Sequence, residues 1–349
     1  MDAVNLGLSA LATISILAVV PLLSLLQQRL VGRPMTGLWP GVGMASGVGS
    51  LVTLAIVWIT GFTGISALLA PPFVALGALF AVIATSPIRQ RSLFAQAVFS
   101  GVMAALVFTP VFMAFAGVAF QFLFTKVGLL DFGAALPVFV AAGGAGLGVY
   151  ALEHGGPVEA AGRIRWWPLT WVLLLLWVAW IGWLVGIELA IDESTGIIVS
   201  NAVLMPIAGA VAGVVIERVR HRANTPRGLA VGFLGGAMAA TASCAFLDTG
   251  FAVMTALVAG AVSVVLSPSA ESAGSKSILA TAVIASGTGL LLLGLFATNL
   301  AAVYTGQPEV FFGQLGAVVG FGVYAFLVGA GLWLLLRGQD KRWDTRSRW

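Results

Sequence analysis

From Phe132 to Tyr150 the chain runs without a single charged side chain, and runs of this kind recur along nearly its whole length. An apolar run of about twenty residues is what a helix needs to cross ~30 Å of hydrocarbon at ~1.5 Å per residue. Such runs leave few ways to fold. Inside a bilayer every backbone N–H and C=O must find a partner within the protein, so only helices or a closed barrel can span it. Long unbroken runs, rather than roughly ten-residue alternating segments, select helices. Composition agrees, since only 9% of residues are charged and 60% are hydrophobic, where a soluble domain carries about 25% charge.

Eleven spans follow in order, at about 5–27, 39–61, Pro71-Pro72 to Pro87, Ser92 to Phe120, Asp131 to Tyr150, 168–190, 196–216, 228–246, 250–267, 277–300 and 311–336. With the N-terminus outside, every Lys and Arg except Lys126 falls on the cytoplasmic side. That asymmetry is what the positive-inside rule predicts, and a missed or spurious span would scatter the basic residues over both faces. The longest break, 153–166, lies near the middle of spans one to ten. It suggests two halves, 5–152 and 168–300, followed by a terminal helix at 311–336 and a basic cytoplasmic tail at 337–349. Five spans per half is an odd number, so the halves insert in opposite senses. The expected fold is therefore an all-α polytopic membrane protein with eleven transmembrane helices, a 5+5 inverted repeat plus a final long helix.

Two features of the fifth run carry local physics. Asp131 at its head can accept hydrogen bonds from the first free N–H groups of the helix and favours the positive end of its dipole. Gly143, Gly144, Gly146 and Gly148 let neighbouring backbones approach closely, as do the glycines of span two. Acids gather on the outer side: Asp2, Asp131, Glu188, Asp192, Glu193, Asp248 and Glu309. They form either a vestibule that concentrates cations or the residue of a topology that excludes basic groups from this face.

Little else in the chain carries chemistry. No Lys or Arg lies at mid-span, which argues against ion-coupled transport through buried ionisable groups. His154 and His221 sit in separate cytoplasmic loops, and Cys244 is the only cysteine, so no metal site is expected. There is no P-loop, no nucleophile beside a base and no dinucleotide fingerprint. An enzyme, a bound cofactor and a nucleic-acid partner are all unexpected. The lipid bilayer is the partner that composition demands, and a bacterial inner membrane is the natural setting.

Several stretches, in order, resemble the ammonium transporter (Amt/Rh) family. Leu176-Trp177-Val178-Ala179-Trp180-Ile181-Gly182-Trp183 is similar to the family's LWFGWFGFNxGS, and Asn201 matches the Asn of the next span. Leu130-Asp131-Phe132-Gly133 looks like the family's LDFAGG, Phe80-Ala81-Val82-Ile83 like its FAxIT, and Val107-Phe108-Thr109-Pro110 like its VYxP. Gly294-Leu295-Phe296-Ala297 and Gln314-Leu315 fit the end of span ten and the start of span eleven. The resemblance implies a homotrimer with one pore per protomer.

Residue by residue, the same resemblance removes the family's chemistry. Its two facing pore histidines fall on Phe139 and on or near Ala282. Its outer recruitment tryptophan falls around Ala116 to Ala119, and the Asn of span six is Leu184. Two stacked gating phenylalanines have counterparts in Phe80 and in Phe251, or in Leu247 if the register slips. Asp131 is kept at the pore entrance, and Trp177, Trp180, Gly182 and Asn201 as structural matches. Imidazoles can donate and accept hydrogen bonds in an apolar pore; Phe and Ala cannot. Three readings stay open: a channel for ammonia or another small neutral solute; a membrane scaffold or regulatory subunit working with a membrane-protein partner; and a pathway for another substrate near Trp177, Trp180, Trp183 and Phe139.

Overall fold

The computed structural model describes residues 3–31, 38–60, 67–115, 128–153, 164–222, 225–267 and 274–346. Among them the chain forms eleven helical rods. The first half holds α1 (Ala3–Val31), α2 (Leu38–Thr60), α3 (Ala70–Ala84), α4 and α5 (Leu136–Leu152). Rod α4 joins Leu93–Met103, a π-helical turn Ala104–Phe108 and Thr109–Phe115. The second half holds α6 (Trp166–Ile187), α7 (Thr195–His221), α8 (Pro226–Ser243), α9 (Thr249–Leu266) and α10 (Gly274–Phe296). A single helical turn, Ala302–Thr305, leads into α11 (Glu309–Arg346). The last helix thus runs on through most of the basic tail, beyond the end at 336 that its apolar residues suggest. Sites expected on Ala116 to Ala119, Lys126 and His154 lie outside the described residues.

Eight of these rods are long and apolar enough to cross a membrane, and α3 and α5 are shorter apolar helices. The chain is a multi-pass membrane protein. The weakest apolar signal belongs to α8, whose sequence is mostly Gly, Ala, Ser and Thr. Its position explains this: from Ala230 to Ser243 every residue is buried, so α8 faces protein on all sides and needs small residues rather than greasy ones. Rod α3 is enclosed in the same way, being buried from Pro72 to Ala84 apart from Val74.

Neighbour relations repeat. Rod α2 packs on α3 and α4, as α7 packs on α8 and α9; α1 touches α3 as α6 touches α8; α3 meets α5 as α8 meets α10. Two further contacts, α1 on α6 and α5 on α10, join a rod to its own counterpart five positions along. Rod α11 lies outside this scheme, against α5 and α10.

The glycines of α5 work on two faces at once. A Cβ on Gly143 would stand 2.9 Å from the Leu279 carbonyl oxygen, and one on Gly146 would strike the Leu279 side chain, both on α10. On the other face a Cβ on Gly144 would stand 2.7 Å from the Gly322 carbonyl oxygen of α11, and Gly148 is closed off by Phe326 of the same helix. Only glycine lets α5 sit backbone to backbone between two neighbours. Span two divides differently: Gly41 and Gly49 pack inward, but Gly43 and Gly47 have nothing within 4 Å.

Candidate functional site

The segment that leads into the N-terminus of α5 is built around Asp131. Its Oδ1 accepts from the Ala135 N–H at 2.8 Å and its Oδ2 from the Leu136 N–H at 2.7 Å. The carboxylate therefore caps the helix, as the residue type predicts, but from further back. Rod α5 starts at Leu136, with Pro137 in its first turn, rather than at Asp131. The segment between is used elsewhere: the Phe132 N–H donates to the Ala242 carbonyl (3.1 Å) and the Gly133 N–H to the Thr241 carbonyl (2.7 Å). Ala134 takes φ 69° to turn the chain back into the helix. From α11, Gln314 Nε2 donates to the Leu130 carbonyl at 2.6 Å.

The bonds from Phe132 and Gly133 satisfy carbonyls at the C-terminal end of α8, which a helix cannot pair internally and which an apolar surrounding penalises. Asn201 completes the task, its Nδ2 donating to the Cys244 (2.9 Å) and Leu247 (2.8 Å) carbonyls. The Thr298 N–H reaches the Phe246 carbonyl at 2.8 Å. So Asn201 joins α7 to the end of α8, a structural role. Gly182 has a similar one: a Cβ there would collide with Ser15, so the residue lets α1 lie close against α6.

One turn into α5, Phe139 is fully buried. Its ring stacks on Trp180 at 5.5 Å and 13° and lies 5.9 Å from Trp183, while the two tryptophans are 5.4 Å apart. Trp180 is fixed by its Nε1–H, which donates to Thr241 Oγ1 at 2.9 Å. Trp183 is as deeply buried, yet its Nε1 has no hydrogen-bond partner. Ala282 is fully buried on α10 and faces α5, its Cβ 3.3 Å from where a Cβ on Gly143 would be. The positions of the two expected imidazoles thus lie on helices in direct contact. Phe139 meets aromatic rings there, and Ala282 meets a glycine.

The two expected gate rings have separate partners. Phe80 is buried against Phe108 (5.4 Å), within a cluster that continues to Phe73 and Phe112. Phe251 stacks on Phe296 at 4.7 Å and 11° and meets Tyr304 edge-on. Among the described residues Phe80 and Phe251 share no ring contact. Trp177 also separates from Trp180 and Trp183. It lines an apolar hollow of about 440 Å³ together with Leu173, Ile207, Val211, Leu229 and Phe233, between α6, α7 and α8. Of the four positions named for a repurposed pocket, three come together and Trp177 does not.

The cytoplasmic end, by the topology expected above, carries charged contacts; Glu217, at the end of α7, matches an acid of the family motif, and its partners become visible only here. Glu217 pairs with Arg227 at 2.7 Å, tying α7 to α8, and His221 lies 3.8 Å from the same carboxylate. Arg89 is buried between α3 and α4, its Nη2 donating to the Val82 carbonyl at 2.6 Å. Burial pulls its guanidinium down to about 10. A basic residue beside Pro87 reads as an ordinary loop charge, so only its enclosure sets it apart. Among the described residues no group of three His, Cys, Asp or Glu side chains could hold a metal ion.

Comparison with known proteins agrees with this architecture. Residues 42–339 match the Ammonium Transporter Family. The ammonium transporter Amt1 of Archaeoglobus fulgidus is 29% identical over 215 residues, 58% of this chain and 54% of that protein. A relative from Methanothermobacter thermautotrophicus is 29% identical over 177 residues, 46% of this chain and 42% of the relative. The matched stretches thus span about half the length of these relatives. Among solved structures, Mep2 of Saccharomyces cerevisiae superimposes with a TM-score of 0.83 at 18% identity, covering 97% of this chain and 88% of that one. A sensor Amt protein gives 0.78 at 16% identity, covering 97% and 95%. At such identities these structures speak for the fold.

Proposed function

The chain belongs to the ammonium transporter family, and on that premise we propose that it is a membrane channel passing ammonia or another small neutral solute through a hydrophobic passage without a histidine relay. The observation that carries this reading is the cluster of Phe139, Trp180 and Trp183. An ammonium ion passing uncharged aromatic and alanine side chains loses its hydration without acceptors to replace it, at a cost of several kcal/mol. A neutral molecule loses far less. Such a channel binds no cofactor and carries out no chemical conversion.

The repeated neighbour relations support two five-helix halves inserted in opposite senses, with α11 added outside them. The one-sided distribution of Lys and Arg supports eleven crossings, an outer N-terminus and a cytoplasmic C-terminus in the inner membrane of a cell. The family premise adds a homotrimer. A second reading, a non-conducting scaffold or regulatory subunit that keeps the fold, draws on the tightness of the ring stack, since Phe139 is fully enclosed by its neighbours.

Liposome flux separates the two readings. Purified protein is reconstituted, an ammonium gradient is applied and internal alkalinisation is followed, with wild type compared with Phe139→His. The channel reading expects wild-type alkalinisation above that of protein-free vesicles and a changed response in the variant. Wild-type flux at background would remove the channel and leave the scaffold.

A further inference from the structure

Among the three rings at the centre, only two have their polar requirements met. Phe139 has none. The Trp180 N–H is engaged by Thr241 Oγ1, which itself donates to the Ala237 carbonyl at 3.0 Å. Trp183, with no measurable exposure, has an Nε1–H that meets no acceptor. A buried donor without a partner costs about 1–3 kcal/mol and calls for a physical explanation. Trp177 also has an unpartnered Nε1, but it borders the lateral hollow between α6, α7 and α8. Trp183 instead sits against Phe139, the position to which the family resemblance assigns one of the pore histidines.

We propose that the Trp183 indole N–H is the selectivity-determining group of the passage, a lone hydrogen-bond donor reserved for a transiting solute that carries a lone pair. The proposal rests on the channel reading given above. An indole N–H donates and cannot accept. Free ammonia and small amines in their free-base form have a lone pair to receive that bond. Ammonium has four N–H groups and no lone pair, so at the Nε1 edge of Trp183 it finds a donor where it needs an acceptor, and only the ring faces attract it. The site therefore discriminates by hydrogen-bond polarity as well as by desolvation. It takes neutral nitrogen bases, and water as a weaker competitor, and it rejects the cation.

The neighbouring geometry keeps this donor available. Phe139 and Trp180 flank the Trp183 ring, and the Thr241 hydroxyl is taken by the Trp180 N–H. Residue 184, next in the chain, is Leu, which offers no acceptor.

Trp183→Phe keeps an aromatic ring and deletes the N–H. In liposomes the ammonia flux of this variant should fall by roughly two- to tenfold, the value of one net hydrogen bond. Both Trp183→Phe and Trp180→Phe shrink a buried ring and lose packing alike, but only Trp180→Phe also breaks a formed bond. In detergent Trp183→Phe should therefore unfold at a clearly higher temperature than Trp180→Phe, which serves as the contrast. Wild-type conduction with equal flux in Trp183→Phe would overturn the proposal while leaving the channel intact. So would lowered stability of Trp183→Phe to the extent of Trp180→Phe, since the donor would then be structural. A wild-type membrane current matching the ammonium influx would overturn it as well. Wild-type flux at background would remove the channel, and this proposal with it.

Discussion

Asp131 shows how a single side chain can stand for a whole junction. It has two carboxylate oxygens, each holding one backbone N–H of the first turn of α5. We predict that Asp131→Ala destabilises the protein by about 2 kcal/mol, because it removes a cap and leaves two donors unpaired in an enclosed site. Asp131→Asn keeps one acceptor oxygen and should lose roughly half as much. Thermal unfolding of both variants in one detergent checks the ratio, and equal losses would mean that charge rather than acceptor count matters. The acid was legible in the sequence as a helix cap. Its reach across Phe132, Gly133 and Ala134 was not, because that depends on the carbonyls that the end of α8 offers to the intervening chain.

Helix-on-helix contact is set by where glycine stands relative to a neighbour, and the sequence shows which helices are glycine-rich but not which glycine meets which neighbour. Gly209, Gly232, Gly236 and Gly260 bring α7, α8 and α9 together, and a Cβ on Gly236 would collide with the Met205 carbonyl. Gly236→Ala should therefore cost about 3 kcal/mol or more, since the obstacle is backbone and cannot swing aside. Gly43 in α2 has nothing within 4 Å. Gly43→Ala should raise stability by about 0.5–1 kcal/mol through helix propensity alone. Unfolding by denaturant compares the two. A loss at Gly43 would mean that a second molecule lies against that face, as a trimer contact would require. The expectation that the glycines of span two are packing surfaces holds for Gly41 and Gly49 and fails within this chain for Gly43 and Gly47.

Across the whole molecule, α11 is the element that stands outside the repeat, and a small polar clamp ties it in. Glu153, at the end of α5, accepts from Trp333 Nε1 at 2.7 Å through one oxygen and pairs with Arg91 at 2.7 Å through the other. The Arg91 guanidinium also lies 5.8 Å from the centre of the Trp333 ring. Arg91 is 41% exposed, so screening leaves its ion pair little value. Trp333 is fully buried, and its N–H depends on that carboxylate. Glu153→Gln, which keeps an acceptor, should cost under about 1 kcal/mol; Glu153→Ala, which strands the indole, should cost roughly 1–2 kcal/mol. Equal losses in thermal unfolding would shift the weight to the ion pair.

By itself the sequence determined the class of fold, the order of the helices and the lack of imidazole at mid-span. Hydropathy and charge act locally and need no knowledge of neighbours. The cap at Asp131 and the close approach of α5 to its neighbours follow from residue chemistry in the same way, while Asn201 stood out only through the family resemblance. Tertiary structure alone decided which rings meet. Phe80 and Phe251 carry equally aromatic side chains, yet each stacks within a different cluster, and Trp177 turns outward while Trp180 and Trp183 turn in. Ring contacts are set by the rotation and depth of rods that are far apart in the chain, and a shift of one residue along a helix turns a side chain by about 100°. The idle indole N–H of Trp183 belongs to the same level, because a missing partner becomes visible only when every neighbour is in place.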